Sequence, residues 1–404
     1  MRLFGRRPAS LSMLADKEFR NYFIADMPFE FGAEVRRFSM SWMALTLTGS
    51  QFWVGLVTGL PGLTIALFAP FAGVVVDRYN RRNLLIAVRT AFVALALPLG
   101  VLALTGDMEP WHLVLATLVV GAVRSLSLPA LRAFLTDLVG RKRLLSANAL
   151  TGSSSSAGEL IGPVVVGFAI SAFGVASGFF MVAAAFGTCA LLLFRVKPKP
   201  PTEVSRGTAL SQIREGLAYI AKTPPLPALI IVTVTQLPAA VVTPLIPVYA
   251  RDVLGVGAPG YGIMSGCLGA GFLVGALATS AVQDFPKKGL ALIVTALCWD
   301  ACAVAFGFSR VFPLSLALLF SMGVAGAVHS IFLLTLFQTV ASNDMQGRVL
   351  SMYGLVTASF PLGFILGGAL ASLFGNEEAI VIGALISTPV ILVTYAMSPT
   401  LRRM

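Results

Sequence analysis

Apolar residues dominate long stretches of the chain, and polar residues collect in short segments between them. A helix needs about 20 predominantly apolar residues to cross the hydrocarbon core of a bilayer. Stretches of that kind recur along the chain without the alternation of apolar and polar residues that marks barrel strands, so they predict transmembrane helices. The twelve predicted spans are residues 19–47, 52–76, 84–104, 111–134, 148–173, 176–194, 226–249, 260–282, 290–308, 312–340, 349–374 and 379–397.

The composition agrees with a protein whose solvent is mainly lipid. Hydrophobic residues make up 57% and charged residues 12% of the 404 positions, whereas soluble domains carry about a quarter charged residues. The first apolar run is too long for a signal-peptide core and contains charged residues, so no cleavable signal peptide is predicted. We therefore expect an all-α integral membrane protein.

Basic and acidic residues separate between alternate loops. Basic residues such as Arg78 and Lys287 follow even-numbered spans, whereas acidic residues such as Asp107 and Glu377 occupy most of the opposite loops. The positive-inside rule then places both termini in the cytoplasm of a multi-pass protein of the cell (inner) membrane. The net charge of +11 reflects these loops, and nucleic acid is not an expected partner because no basic face with interleaved aromatic residues appears.

The two halves of the chain repeat each other. Residues 141–150 align with residues 346–355 at an offset of 205, and the same offset carries Gly158 onto Gly363 and Gly162 onto Gly367. Duplicated helix bundles are common in transporters, where the substrate site lies near mid-membrane between the repeats. The sequence thus predicts a six-helix bundle over 1–194 and a second over 226–404. Residues 195–225 form a cytoplasmic linker that is either an amphipathic helix on the membrane face or a simple tether.

A charged motif follows the second span. Gly73, Asp77, Arg78, Arg81 and Arg82 have the spacing GxxxDRxxRR, which resembles motif A of the major facilitator superfamily. A loop that is basic only for topological reasons would explain the arginines but not Asp77. The resemblance implies a twelve-helix fold of two six-helix pseudo-repeats, in which the glycine permits close helix packing and the carboxylate pairs with arginine or caps a helix. We expect these residues to act as a conformational latch.

The fifth span contains Gly158, Gly162, Pro163 and Gly167. This spacing resembles motif C of antiporters, although only one glycine closes it here. Small residues four apart allow close contact between helices, and the proline bends its own helix. Residues 47–50, 129–137 and 346–351 also resemble the exporter branch that contains macrolide and enterobactin efflux proteins, which implies outward transport driven by protons.

Acidic residues are concentrated in the first span. Asp26, Glu30 and Glu34 recur every fourth residue, so they share one helical face, and Arg37 lies one turn beyond Glu34. Charged groups inside a membrane are costly and usually functional. Neighbouring carboxylates favour each other's protonated form, which suits proton coupling or the binding of cations. The alternative is that Glu34 and Arg37 form a structural pair while Asp26 sits at the cytoplasmic mouth.

Further candidates lie in other spans. Arg124, in the fourth span, resembles the arginine of motif B of antiporters, although the glutamine and glycine that normally follow are absent. The 205-residue offset places His329 at the matching point of the tenth span, where it either titrates or serves in packing. Glu159 and Asp300 are intramembrane acids to which the sequence assigns no partner.

Taken together, these features predict a secondary active transporter that exports small amphipathic or cationic compounds, drug-like or siderophore-like, by proton-coupled alternating access. The alternative is a lysophospholipid transporter or facilitator of the same fold. Expected partners are membrane lipids, a small-molecule substrate and protons, with the chain acting as a monomer. No metal or cofactor is expected because the cysteines lack CxxC spacing, and no enzyme is expected because HExxH and GxSxG motifs are absent.

Overall fold

The computed structural model describes residues 13–140, 143–197, 215, 218–281, 285, 287–342 and 344–404, with the backbone alone at Pro70, Gly73, Val74, Asp77 and Leu355. Long helices form because the apolar runs satisfy every backbone group internally, as a lipid environment demands. The first six helices are α1 (Lys17–Thr48), α2 (Gln51–Arg78), α3 (Arg81–Thr105), α4 (Pro110–Val139), α5 (Leu144–Phe173) and α6 (Ala176–Leu193).

The second half is less regular. Its seventh span is divided into α7 (Leu226–Val234), α8 (Gln236–Ala239), α9 (Val242–Val248) and a π turn at Tyr249–Val253. The prolines of this span lack the N–H that an α-helix interior requires, which accounts for the interruptions. The remaining helices are α10 (Gly257–Ala281), α11 (Lys288–Phe308), α12 (Phe312–Val340), α13 (Gln346–Thr357), α14 (Phe360–Phe374), α15 (Asn376–Met397) and α16 (Pro399–Arg403).

By length and composition, ten helical segments within the described residues can cross a membrane. The predicted first span, α1, is long enough but carries charged residues along much of its length. The predicted eleventh span is divided at Ala358 and Ser359, and Pro361 lies in the first turn of the apolar helix α14 that follows. The predicted all-helical membrane architecture is confirmed. The first span differs from a continuous apolar helix in its charged residues, and the eleventh differs in its division into two helices.

The chain forms two compact units. The first comprises Met1–Met43 and Thr64–Val204, and the second comprises Ala44–Leu63 and Ser205–Met404. The sequence-based division placed residues 44–63 with the first bundle, whereas their contacts group them with the second. Most of the predicted linker, residues 195–225, lies outside the described residues, although Ile220 is buried in the core of the second unit.

Glycines explain why residues 44–63 belong to the second unit. A Cβ placed on Gly55 would lie 2.9 Å from the Cα of Gly368, and the converse distance is also 2.9 Å. Two helix backbones can approach so closely only where side chains are absent. At the start of the segment, Arg251 donates a hydrogen bond of 2.6 Å from Nη1 to the carbonyl oxygen of Leu45. The segment is thereby fixed to α14 and to the π turn.

Candidate functional site

Asp26 is a buried residue of α1. Its side chain is 3% exposed, and Arg89 of α3, which is 2% exposed, lies within electrostatic range of it. Nη1 of Arg89 donates a 2.9 Å hydrogen bond to Oγ of Ser127, and the guanidinium lies 3.3 Å from the ring centroid of Phe29. The carboxylate therefore faces a buried cation rather than open solvent, which differs from the cytoplasmic mouth that the alternative interpretation gave to Asp26.

Glu30 lies one turn further along α1 and is only half-buried. Its Oε2 accepts a 3.1 Å hydrogen bond from Oγ of Ser155 on α5. Arg124 of α4 lies within electrostatic range of the same carboxylate. Glu30 forms no ion pair at contact distance within the described part of the chain. It is thus a partly accessible acid whose direct partner is a neutral hydroxyl.

Glu34 forms an ion pair with Arg37, the structural pairing that the sequence left open. The Glu34 side chain is 13% exposed and that of Arg37 is 53% exposed. Arg124 interacts electrostatically with Glu34, and so does Glu159 of α5. We call Glu30, Glu34, Glu159, Arg37 and Arg124 the acid–arginine cluster. It joins helices α1, α4 and α5 inside the first unit.

The motif C glycines hold this cluster in place. A Cβ on Gly158 would lie 2.9 Å from the carbonyl carbon of Glu30, and one on Gly162 would lie 2.9 Å from the Cβ of Glu34. The backbone of α5 therefore packs directly against the turns of α1 that carry the two acids. Pro163 and Gly167 are also buried in α5. The glycine spacing and the acidic face belong to one helix contact.

Motif A lies apart from the cluster. Arg81 forms an ion pair with Asp137 at the end of α4, and the two side chains are 7% and 4% exposed. Arg82 donates a 2.8 Å hydrogen bond from Nη1 to the carbonyl oxygen of Val196, whereas Arg78 is exposed. The side chain of Asp77 and the surroundings of Gly73 lie outside what the structure describes. The arginines of this loop therefore tie α3 to α4 and to the end of α6.

Asp300 and His329 lie in the second unit and do not join the acid–arginine cluster. Asp300 accepts hydrogen bonds from Ser387 (2.5 Å) and Thr388 (2.8 Å) on α15. Nδ1 of His329 lies 3.1 Å from the carbonyl oxygen of Leu292. Both residues line one cavity. No group of three or more His, Cys, Asp or Glu side chains able to hold a metal ion occurs within the described residues.

Sequence reasoning missed Arg89, Ser155 and Asp137 as partners. Arg89 stands inside the third apolar run, so the rule that intramembrane charges are functional should have singled it out. Asp137 was noticed only as part of a resemblance. Ser155 carries no signal of its own, because its role depends on the register of α5 against α1.

Comparisons with known proteins agree with this architecture. Residues 8–402 match the family described as transmembrane secretion effector. The enterobactin exporter EntS of Shigella boydii is 27% identical over 332 residues, covering 81% of this chain and 75% of the exporter. The solved nucleoside transporter NupG has a TM-score of 0.76 at 14% identity, covering 94% of this chain and 99% of NupG.

A second solved structure extends the agreement in fold. A bacterial homologue of the human lysosomal transporter Spinster has a TM-score of 0.73 at 15% identity and covers 98% of this chain and 99% of its own. At such low identity these structures show the fold alone, whereas the family match spans nearly every residue. The chain therefore belongs to the transmembrane secretion effector family of the major facilitator superfamily, and it is a multi-pass membrane transporter rather than an enzyme.

Proposed function

We propose that this protein is a proton-coupled exporter of small amphipathic or cationic compounds, with Glu30 as the carboxylate that binds the coupling proton. The observation that carries the proposal is the environment of Glu30. It is an intramembrane acid that is only half-buried, whose hydrogen-bond donor is the neutral Ser155. A neutral partner allows the carboxylate to be protonated without leaving a buried cation unpaired.

The other two acids of α1 suit this role less well. Asp26 is closed off beside the buried Arg89, so protons from solvent reach it less readily. Glu34 is paired with Arg37, and protonation would sacrifice that ion pair. Arg124 lies within range of both Glu30 and Glu34. Its positive charge favours release of the proton once Glu30 has carried it through the cycle.

Coupling follows from competition at the acid–arginine cluster. A cationic substrate is attracted to the ionised Glu30, and a proton that neutralises Glu30 removes that attraction. A proton entering from outside then returns the empty carrier for a new substrate by alternating access. Exchange of one proton for one monovalent cation moves no net charge, so the pH difference drives export, at about 1.4 kcal/mol for each tenfold difference in proton concentration.

The proposal also includes the direction of transport and the membrane in which the protein lies. The relatives named as enterobactin exporters support outward transport. They also support siderophore-like substrates beside drug-like ones. The basic loops support a cell (inner) membrane location with both termini in the cytoplasm. The motif A residues serve as the latch between transport states, through the buried pair of Arg81 and Asp137.

The test is transport of ethidium, a permanently charged amphipathic cation, into proteoliposomes with an acidic interior. The wild-type protein is expected to accumulate ethidium only while the pH gradient lasts. The Glu30→Gln, Glu34→Gln double variant should lose this accumulation, since neither side chain can then exchange a proton. Accumulation by the double variant at the wild-type level would refute the assignment. Gradient-independent movement of lysophosphatidylcholine, with none of ethidium, would favour the lysophospholipid alternative instead.

A further inference from the structure

A cavity of about 230 Å³ lies inside the second unit, between helices α8 to α12, α14 and α15. Much of its wall is aromatic, formed by Phe272, Trp299, Phe360 and Phe364. An apolar cavity of about 150 Å³ holds benzene. This one therefore has room for one aromatic ring and a short polar substituent.

The buried carboxylate of Asp300 forms part of this wall. Asp300 is 4% exposed, and its Oδ2 accepts hydrogen bonds from the hydroxyl groups of Ser387 and Thr388. Within the described residues, no basic side chain forms an ion pair with Asp300. A buried negative charge is costly unless a positive group compensates it. The cavity beside Asp300 is where such a group fits.

His329 supplies a second acceptor in the same cavity. Its Nδ1 lies 3.1 Å from the carbonyl oxygen of Leu292, and a carbonyl only accepts, so Nδ1 carries the hydrogen. In the neutral ring Nε2 is then an acceptor, and it is buried without a hydrogen-bond partner among the described residues. The residue is 6% exposed and lines the cavity. Two acceptors thus favour a ligand that donates hydrogen bonds, and the buried Nε2 of Gln236, which also lines the cavity, offers that ligand one donor.

We propose that this cavity binds an organic ammonium group attached to a single aromatic ring, either free or as part of a larger substrate. The ammonium compensates the charge of Asp300 and donates to Nε2 of His329, and the ring packs against Trp299 and Phe272. Aromatic faces attract cations, which adds to the binding. The inference rests on the proposed function only in taking this ligand to be a transported compound. The site is distinct from the acid–arginine cluster because all of its residues belong to the second unit.

The first measurement is equilibrium binding of 2-phenylethylammonium to the purified full-length protein, followed by tryptophan fluorescence or calorimetry. The matched neutral probe is 2-phenylethanol, which has a similar shape but no positive charge. Because a charge-assisted contact separates the two probes, the ammonium should bind at least about tenfold more tightly. Equal affinity for both probes would overturn the proposal, since it would indicate that Asp300 is uncharged.

Variants locate the site. Asp300→Asn should lower the affinity for 2-phenylethylammonium at least about tenfold, and thermal unfolding of the unliganded variant shows whether it is folded. Should that variant not fold, Gly326→Ala serves instead, because its Cβ would lie 2.9 Å from the rings of Phe272 and Trp299 and narrow the cavity. Wild-type affinity in a folded Asp300→Asn protein, or in Gly326→Ala where the former does not fold, would refute the site.

Glu30→Gln is the control that separates this inference from the proposed function. Adding Asp300→Asn to the Glu30→Gln protein should still lower its affinity for 2-phenylethylammonium at least about tenfold, whereas Glu30→Gln alone should fail to accumulate ethidium under a pH gradient. If binding depends on Asp300 but the protein shows no gradient-driven transport, the proposed binding site is supported and the proposed proton coupling is refuted. If transport is driven by the gradient but binding does not depend on Asp300, the proton coupling is supported and the binding site is refuted.

Discussion

The two halves of the molecule use the same packing device for different chemistry. In the first unit, Gly158 and Gly162 bring α5 against Glu30 and Glu34 of α1. In the second unit, the repeat-equivalent Gly363 and Gly367 approach Leu237, Ala240 and Val241 of the seventh span. The same offset puts Thr235 and Ala239 at the positions of Glu30 and Glu34. The repeat thus preserves the helix contact, while the carboxylates occur in the first unit alone among these four positions.

The helices that face these glycines also differ. Helix α1 continues through Pro28 from Lys17 to Thr48, whereas the seventh span is divided into short helices and a π turn. A continuous helix keeps acids four residues apart on one face. The divided span instead contributes Gln236 and Ala239 to a cavity wall. The comparison indicates a charged helix face in one unit and an aromatic cavity with one buried acid in the other.

The largest expected effect on stability is at the buried pair of motif A. Arg81→Gln removes the guanidinium that pairs with the buried carboxylate of Asp137, which should cost about 3–5 kcal/mol. The measurement is thermal or denaturant unfolding of the purified protein. The double variant Arg81→Gln, Asp137→Asn should recover much of the loss because both charges are removed. A double variant as unstable as the sum of the two single ones would contradict this pairing.

A smaller loss in the free energy of unfolding is expected at Gly158, where α5 contacts α1. Gly158→Ala forces apart the backbones of α5 and α1 and should cost about 1–3 kcal/mol. Gly152→Ala in the same helix is the matched control, because nothing lies within 4 Å of its added Cβ.

Gly363→Ala extends this test to the second unit, where a comparable loss of unfolding temperature is expected. Only Gly158→Ala should also weaken gradient-driven transport, since it displaces Glu30. The interpretation fails if Gly152→Ala and Gly158→Ala unfold at the same temperature.

The smallest effect on stability is expected at two surface ion pairs that occupy equivalent positions in the two repeats. Arg143 lies 3.9 Å from Asp16, and its repeat equivalent Arg348 lies 2.9 Å from Glu215. Each pair ties the segment before the first span of its half to the start of the fifth. Both pairs are exposed, so Arg143→Ala and Arg348→Ala should each cost at most about 1 kcal/mol in unfolding experiments. A loss as large as that of Gly158→Ala would show that these pairs matter more than their exposure allows.

Hydropathy was enough to predict the helices, and the glycine spacing of the fifth span predicted a close helix contact without naming the first span as its partner. These features depend on local composition and on spacing along one helix. The breaks in the seventh and eleventh spans escaped prediction, although Pro238 and Pro361 were visible, because a proline alone does not say whether a helix bends or ends. The partners of Glu30 and Arg81 escaped because Ser155 and Asp137 are distant in sequence and meet them only through helix packing.

The claim that Glu30 couples transport to protons is tested most directly by comparing two modes of ethidium transport in one set of proteoliposomes. Glu30→Gln should abolish accumulation driven by the pH gradient, whereas exchange of ethidium without a gradient should persist at ethidium concentrations high enough to offset the lost attraction of the carboxylate. Ser153→Ala, which removes an exposed hydroxyl two residues before Ser155 on α5, should retain both modes. Full gradient-driven accumulation by Glu30→Gln would contradict the account.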